Sequence, residues 1–270
     1  MNAGIYFNKN YLTENKSYLE RIENSLLAGG NSCVIVNRYS DLKDLDVLFV
    51  LGGDGTILNV AADCARNGVK IIGINYGHLG FLTEYEPEKI DDAIRLVCER
   101  NYSVQKRAML EIECGKNTFY ALNDLVIQRS TGGHDFTNTV ELRALIDGTI
   151  VDNYLSDGII VSTPTGSTAY SLSAGGSILT PDINAFIMTP ICAHSLHSKP
   201  VVYNDNSVLE IIPLNYKTPL NVVVDGRIVE VIKNPVTIKI KKSDYFAEFI
   251  TGNENNFFNK LLIKLNIWSK

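Results

Sequence analysis

The chain has 270 residues, 45% of them hydrophobic, enough for a sizeable core in one large domain or two modest ones. Lys and Arg total 25 against 30 Asp and Glu, a formal charge of −5, so no global basic field exists and neither nucleic acid nor a membrane surface is expected as a partner. An anionic ligand must then be held by local amides, hydroxyls or a metal ion.

In chain order, "AGIYF" (Ala3 to Phe7) reads as a buried strand. Leu19, Ile22 and Leu26 then recur at helical spacing, and Gly29-Gly30 supplies a C-cap. "SCVIV" and "VLFVL" are a second and third strand, Thr56 to Asn67 is a helix stopped by Gly68, and "VKIIGI" is a fourth strand. Pro87 opens another helix, since its missing N–H costs nothing in a first turn. Strands alternating with helices imply a parallel sheet covered by helices. Past Asn101 the pattern changes to a series of strand-like runs, among them "MLEIEC", "TVELRALID", "GIIVST" and "LNVVVDG", which indicates an antiparallel β-sandwich-like second domain. At the end, Phe257, Leu261, Leu262 and Leu265 are spaced for a terminal helix packing back on the first domain. The expected division is 1–101 plus 246–270 as the α/β domain and 102–245 as the β-rich domain.

Cys33, Cys64, Cys98, Cys114 and Cys192 are odd in number, scattered and without a C-x-x-C pair. They read as thiols in a reducing cytoplasm rather than a disulfide framework or zinc site. "MNAGIYFNKN" lacks the basic-then-apolar order of a secretory signal, and no apolar run approaches the roughly 20 residues that span a bilayer.

The informative stretch is "VLFVLGGDGTILNVAADCA", where Gly52-Gly53-Asp54-Gly55-Thr56 joins a buried strand to a helix. Backbone amides at such a junction, with the positive end of the helix dipole, form an anion site, and glycines let phosphate approach the backbone. A carboxylate there repels phosphate unless it has a task. Taking a proton from an attacking hydroxyl fits, as does holding Mg²⁺ bound to phosphates. The plainer alternative is a turn residue or helix cap. A second segment, "DGIIVSTPTGSTAYSLSAGG" (Asp157 to Gly176), crowds hydroxyls behind an apolar run, and Pro164 and Gly166 break any regular strand. Hydroxyls and amides there suit ribose and phosphate, and Tyr170 suits a flat ring.

Together these motifs resemble the NAD kinases, which phosphorylate the 2′-hydroxyl of the adenosine ribose of NAD. "GGDGT" matches the family signature, "GINYGHLGFLTE" (Gly73 to Glu84) its second glycine-rich segment, and "LND" (Leu122 to Asp124) its Asn-Glu motif with Asp for Glu. Asp157 to Gly176 matches nearly residue for residue, and "ICAHSLHSKPVV" resembles the segment that follows. The resemblance implies Asp54 as general base, with Gly53, Gly55 and Thr56 at the phosphates. It implies Asn123 and Asp124 on the ribose or the adenine edge, and Asp157, Thr165, Thr168, Ala169, Tyr170, Ser171, Leu172 and Ser173 lining the dinucleotide pocket of the β-rich domain. It also implies ATP or polyphosphate as donor, a divalent metal ion with Mg²⁺ favoured, and self-association to a homodimer or homotetramer. Leu155 stands where some members carry Arg, and Lys199 where Arg is common. The lipid kinases share "GGDGT", but the hydroxyl-rich second motif suits a dinucleotide better than an acyl chain.

Asp225-Gly226-Arg227 reads first as a hairpin turn, with Arg227 a secondary ligand candidate. His78, His134, His194 and His197 are read as polar residues, not metal ligands, and "STGGHDF" (Ser130 to Phe136) as a mobile β-loop.

Overall fold

The computed structural model describes residues 1–7, 12–75, 80–130, 139–195, 197–215, 218–252 and 257–268. His78, His134 and nearly all of the "STGGHDF" loop lie outside them. The chain forms two compact units, Met1–Arg107 with Phe246–Lys270, and Ala108–Tyr245. The chain passes from one unit to the other inside two long strands, β5 (Ser103–Cys114) and β16 (Ile238–Thr251), and not through a polar linker.

The first unit alternates β1 (Asn2–Phe7), α1 (Leu12–Ala28), β2 (Ser32–Ile35), β3 (Val47–Leu51), α2 (Asp54–Asn67), β4 (Lys70–Ile74) and α3 (Ile90–Cys98). Its sheet runs β2-β1-β3-β4, all parallel, and the end of β16 adds to β4 through Phe249 opposite Ile71. All five residues of β3 are buried, as a parallel strand covered on both faces requires. Ile5, Phe49 and Ile72 from the sheet pack with Ile22 and Leu26 of α1 and Ile94 of α3. Gly68 closes α2 in the left-handed conformation at φ 68°, the αL C-cap signalled in the sequence.

The second unit continues with β6 (Asn117–Ala121), β7 (Asp124–Arg129), β8 (Val140–Ile146), β9 (Thr149–Ser156), β10 (Gly158–Ser162), the single turn α4 (Tyr170–Ser173), β11 (Ala185–Ile191), β12 (Val201–Asn204), β13 (Leu209–Pro213), β14 (Leu220–Val224) and β15 (Arg227–Ile232). One sheet has the order β12-β11-β10-β7-β14-β15, antiparallel throughout. The other strands pair as β16-β13-β8-β9, with β5 joining β16 and β6. Alternation makes the core: Leu125 and Ile127 of β7, Ile159 and Val161 of β10, and Phe186 and Met188 of β11 point inward against Leu142, Tyr154, Leu209 and Ile211. On the opposite face of the six-stranded sheet, Val126, Ile160, Ile191 and Val223 pack with Ala174.

The terminal helix, α5 (Phe257–Trp268), returns to the first unit as its spacing predicts, but with a different inner face. Phe257, Lys260 and Lys264 face the 81–84 segment, while Leu262 is 61% exposed and Leu265's side chain lies outside the described residues. The segment under the helix offers a carbonyl and a carboxylate as well as an aromatic ring, so lysines bury their stems there and Leu262 turns outward.

Among the described residues, no helix is long and apolar enough to cross a membrane. All five cysteines are free thiols. Phe49→Ala should destabilise the chain by about 3–5 kcal/mol, because the ring is fully buried in a sheet that cannot collapse around the cavity. Urea unfolding reads this as a lower midpoint at an unchanged slope.

Candidate active site

In the first unit the chain turns sharply where β3 ends. Gly52 has φ 154°, and a Cβ there would collide with the Thr56 side chain. Gly53 is the N-cap of α2, so the helix begins at Asp54, two residues earlier than its apolar pattern predicts. The helix thus starts at the C-terminal end of the parallel sheet, where open α/β folds bind ligands, and its first amides, at Asp54 and Gly55, precede its own hydrogen-bond ladder. Gly55 is exposed, and Thr56 is buried with its N–H on the Gly53 carbonyl at 2.9 Å.

The Asp54 carboxylate is fixed by backbone. The Phe81 N–H donates to Oδ2 at 2.8 Å and the Leu82 N–H to Oδ1 at 3.0 Å. Gly80 lies so close that a Cβ on it would overlap Asp54 Oδ1. The Lys264 ammonium stands 3.7 Å from Oδ2, and the carboxylate remains 27% exposed. Residues 80–82 thus act on Asp54 through main-chain groups, which a glycine-rich sequence permits but does not announce.

In the second unit the Leu122–Asp124 segment is clamped from two sides. Asp225 accepts three consecutive N–H groups: Leu122 at 2.8 Å, Asn123 at 2.8 Å and Asp124 at 3.1 Å. From the other side, the Thr163 hydroxyl donates to the Leu122 carbonyl at 2.6 Å, and the Thr163 N–H to the Asn123 carbonyl at 2.9 Å. Gly166 presses on this segment too, since a Cβ there would meet the Asn123 backbone. Asp225 and Gly226, at φ 46° and 80°, form the two-residue β14–β15 turn; both signs are those of a type I′ hairpin. The Asp-Gly signal predicts that turn, but nothing local tells that the aspartate reaches the backbone a hundred residues earlier.

Of the other expected residues, Thr165 and Thr168 are each 8% exposed, with the Thr168 hydroxyl on the Thr165 carbonyl. Ala169 and Leu172 are half-buried, and Tyr170 and Ser173 are exposed. Ser171 is fully buried and shares a 2.9 Å hydrogen bond with Thr189, so its hydroxyl faces the sheet. Asp157 pairs with Arg129 Nε at 3.2 Å, a partner that sequence reading missed. Arg227 is exposed and its charge acts on the Asp225 carboxyl.

Asp124 and Asp225 form a buried acidic pair. Burial, with the Asp225 charge beside it, pushes the Asp124 carboxyl up to about 7. Burial also raises Asp225, opposed by its three amide donors and Arg227. Amide donation favours the charged form, so Asp225 carries the charge and Asp124 the proton. Among the described residues, no cluster of three or more His, Cys, Asp or Glu could hold a metal ion by itself.

Comparison with known proteins agrees with this geometry. A family model described as the ATP-NAD kinase N-terminal domain matches residues 34–102, and one described as the ATP-NAD kinase C-terminal domain matches residues 122–252. The NAD kinase of Caldicellulosiruptor bescii is 36% identical over 267 residues, 98% of this chain and 99% of its own length. That of Caldanaerobacter subterraneus subsp. tengcongensis is 42% identical over 225 residues, 82% of this chain and 78% of the relative. The crystal structure of an NAD kinase from Archaeoglobus fulgidus in complex with ATP matches at a TM-score of 0.81 and 27% identity, covering 98% of this chain and 99% of that one.

Two outcomes follow from the acidic pair. The folded state binds protons more tightly than the unfolded one, whose carboxyl value is 3.8, so this contribution is complete below that value and lost as pH rises through about 7. Asp124→Asn should therefore shrink the fall in thermal midpoint between about pH 5 and about pH 8, as read by scanning calorimetry. Asp225→Asn turns an acceptor-only group into one that also points N–H at N–H, and should cost about 1–3 kcal/mol in chemical denaturation.

Proposed function

The chain belongs to the ATP-NAD kinase family, and from that membership we propose that it transfers the γ-phosphoryl group of ATP to the 2′-hydroxyl of the adenosine ribose of NAD, giving NADP. It is a phosphotransferase with an alcohol as acceptor. Polyphosphate is the alternative donor. The observation that carries the assignment of the base is the Asp54 carboxylate, pinned by the Phe81 and Leu82 amides at the start of α2 and still open to solvent.

A ribose hydroxyl is a weak nucleophile. In this reading Asp54 accepts its proton as the oxygen attacks the γ-phosphorus. The new P–O bond forms as the bond to the bridging oxygen breaks, and ADP leaves with that electron pair. General-base assistance of this kind contributes about 10²–10⁴-fold. The remainder comes from positioning and charge neutralisation. The first-turn amides at Gly53, Asp54 and Gly55 suit phosphate oxygens. Asn123, Asp124 and the Thr165–Ser173 segment are the groups assigned to the dinucleotide. Thr165, Thr168, Ala169, Tyr170, Leu172 and Ser173 are its lining, Ser171 a residue that fixes it from beneath, and Asp157 a carboxylate for a ligand hydroxyl. Arg227 is a secondary candidate.

The donor set fits a divalent ion that comes with the nucleotide. Mg²⁺ keeps several waters and is held largely by substrate phosphates, so an ion arriving with the nucleotide needs no protein cluster of its own, and none is found among the described residues. When bound, the ion neutralises charge on the phosphate oxygens. Self-association is the remaining element. Edge strand β15 leaves Ile228 and Val231 exposed at 61% and 42%, and a second copy of the chain would cover them. The free thiols fit a reducing compartment such as the cytoplasm.

Purified chain, NAD, ATP and Mg²⁺ should yield NADP, read with an NADP-specific dehydrogenase, and Asp54→Asn should lower kcat by about 10²-fold or more. Binding of NAD without NADP formation from either ATP or polyphosphate would make the chain a dinucleotide sensor instead.

A further inference from the structure

The stretch from Val47 to Ala62, "VLFVLGGDGTILNVAA", contains no Lys or Arg. The phosphate-facing turn therefore brings amides and one carboxylate, but no side-chain cation. Phosphoryl transfer depends on positive charge placed on the moving group. In the first unit the cation nearest the Asp54 carboxylate among the described residues is on α5. Lys264 Nζ lies 3.7 Å from Asp54 Oδ2 and 4.5 Å from the centroid of the Phe81 ring, with the side chain 18% exposed.

Two lysines one helical turn apart are held very differently. Lys260 is locked: its ammonium donates to the Thr83 carbonyl at 2.9 Å and to Glu84 Oε2 at 3.0 Å, and the residue is 8% exposed. Lys264 sits at a distance longer than the roughly 2.8 Å of a charge-assisted hydrogen bond, beside an oxygen that already accepts the Phe81 N–H. Its ring contact supports the ammonium without using its N–H donors. Lys260 fastens the helix; Lys264 is steered to the carboxylate without a direct hydrogen bond to it.

We propose that Lys264 is the phosphate-binding cation of the donor site, transferring its ammonium from Asp54 to the γ-phosphate when the donor binds. The inference rests on the kinase reading. A hydroxyl within the ~2.6–3.2 Å reach of Asp54 brings the phosphorus it attacks close to that carboxylate, and the ammonium already stands 3.7 Å from Oδ2. The exchange puts the positive charge on the equatorial oxygens of the group in flight and leaves Asp54 Oδ2 facing the acceptor hydroxyl. Lys264 makes and breaks no covalent bond: the proton passes from the ribose hydroxyl to Asp54, and the leaving electron pair goes to ADP.

The test compares wild type, Lys264→Gln, Lys264→Arg and Lys260→Met in full-length chain, by steady-state kinetics with ATP, NAD and Mg²⁺, thermal midpoints, and calorimetric binding of ATP. Lys264→Gln should lower kcat/KM for ATP by about 10²-fold with KM for NAD within about twofold. Its midpoint should stay within about 3 °C of wild type. Lys264→Arg should recover most of the loss, and Lys260→Met should lower the midpoint without that selective loss. Lys264→Gln within about threefold of wild type would overturn the assignment. So would equal losses in Lys264→Gln and Lys264→Arg that follow a falling midpoint, since Lys264 would then only fasten the helix. Wild type that forms no NADP from ATP refutes the kinase reading separately. In that case unchanged ATP binding by Lys264→Gln overturns the inference, and weakened binding keeps it.

Discussion

A buried carboxylate that collects three successive backbone N–H groups governs the β-rich unit. Asp225 takes the amides of Leu122, Asn123 and Asp124, groups that no strand partner satisfies at the point where β7 begins. Left without acceptors, they would make this loop costly to bury. Given one, the loop becomes a rigid shelf, against which Thr163 and Gly166 lean from the β10 side. The hydroxyl-rich segment that follows is therefore seated on fixed backbone, although it contains little regular structure of its own.

The first unit reaches a similar end by reversing the donor and acceptor roles. There the Asp54 carboxylate is held by the main chain of a loop, and the loop by a helix from the far end of the sequence. Asp54 takes the Phe81 and Leu82 amides, and Lys260 secures the Thr83–Glu84 stretch that follows. A side chain on a long flexible loop wanders; one bonded at both oxygens to amides has a single orientation, which general-base work needs.

Much of this was legible in the sequence. The two periods of hydrophobicity fixed the parallel sheet, the antiparallel sandwich and the returning helix, because burial on one face or both leaves its mark locally. Gly52 to Thr56 and Asp157 to Gly176 stood out because close backbone approach and hydroxyl chemistry need particular residue types. What stayed hidden was long-range and polar. Asp225 reads as a turn residue because it is one; its bonds to Leu122–Asp124 depend on β14 lying beside β7. Arg129 beside Asp157 depends on the pairing of β7 with β10. The apolar spacing of α5 gives no place to Lys260 and Lys264, and only the acceptors beneath them turn those side chains inward.

The paired burial of Asp124 and Asp225 also makes this shelf a reservoir of hydrogen ions near neutrality. A ligand that hydrogen-bonds to Asp124 must either meet an O–H donor or expel the proton and meet a carboxylate. Association then carries a proton count of its own. The heat released on binding would change with the ionisation enthalpy of the surrounding buffer, even where the affinity does not.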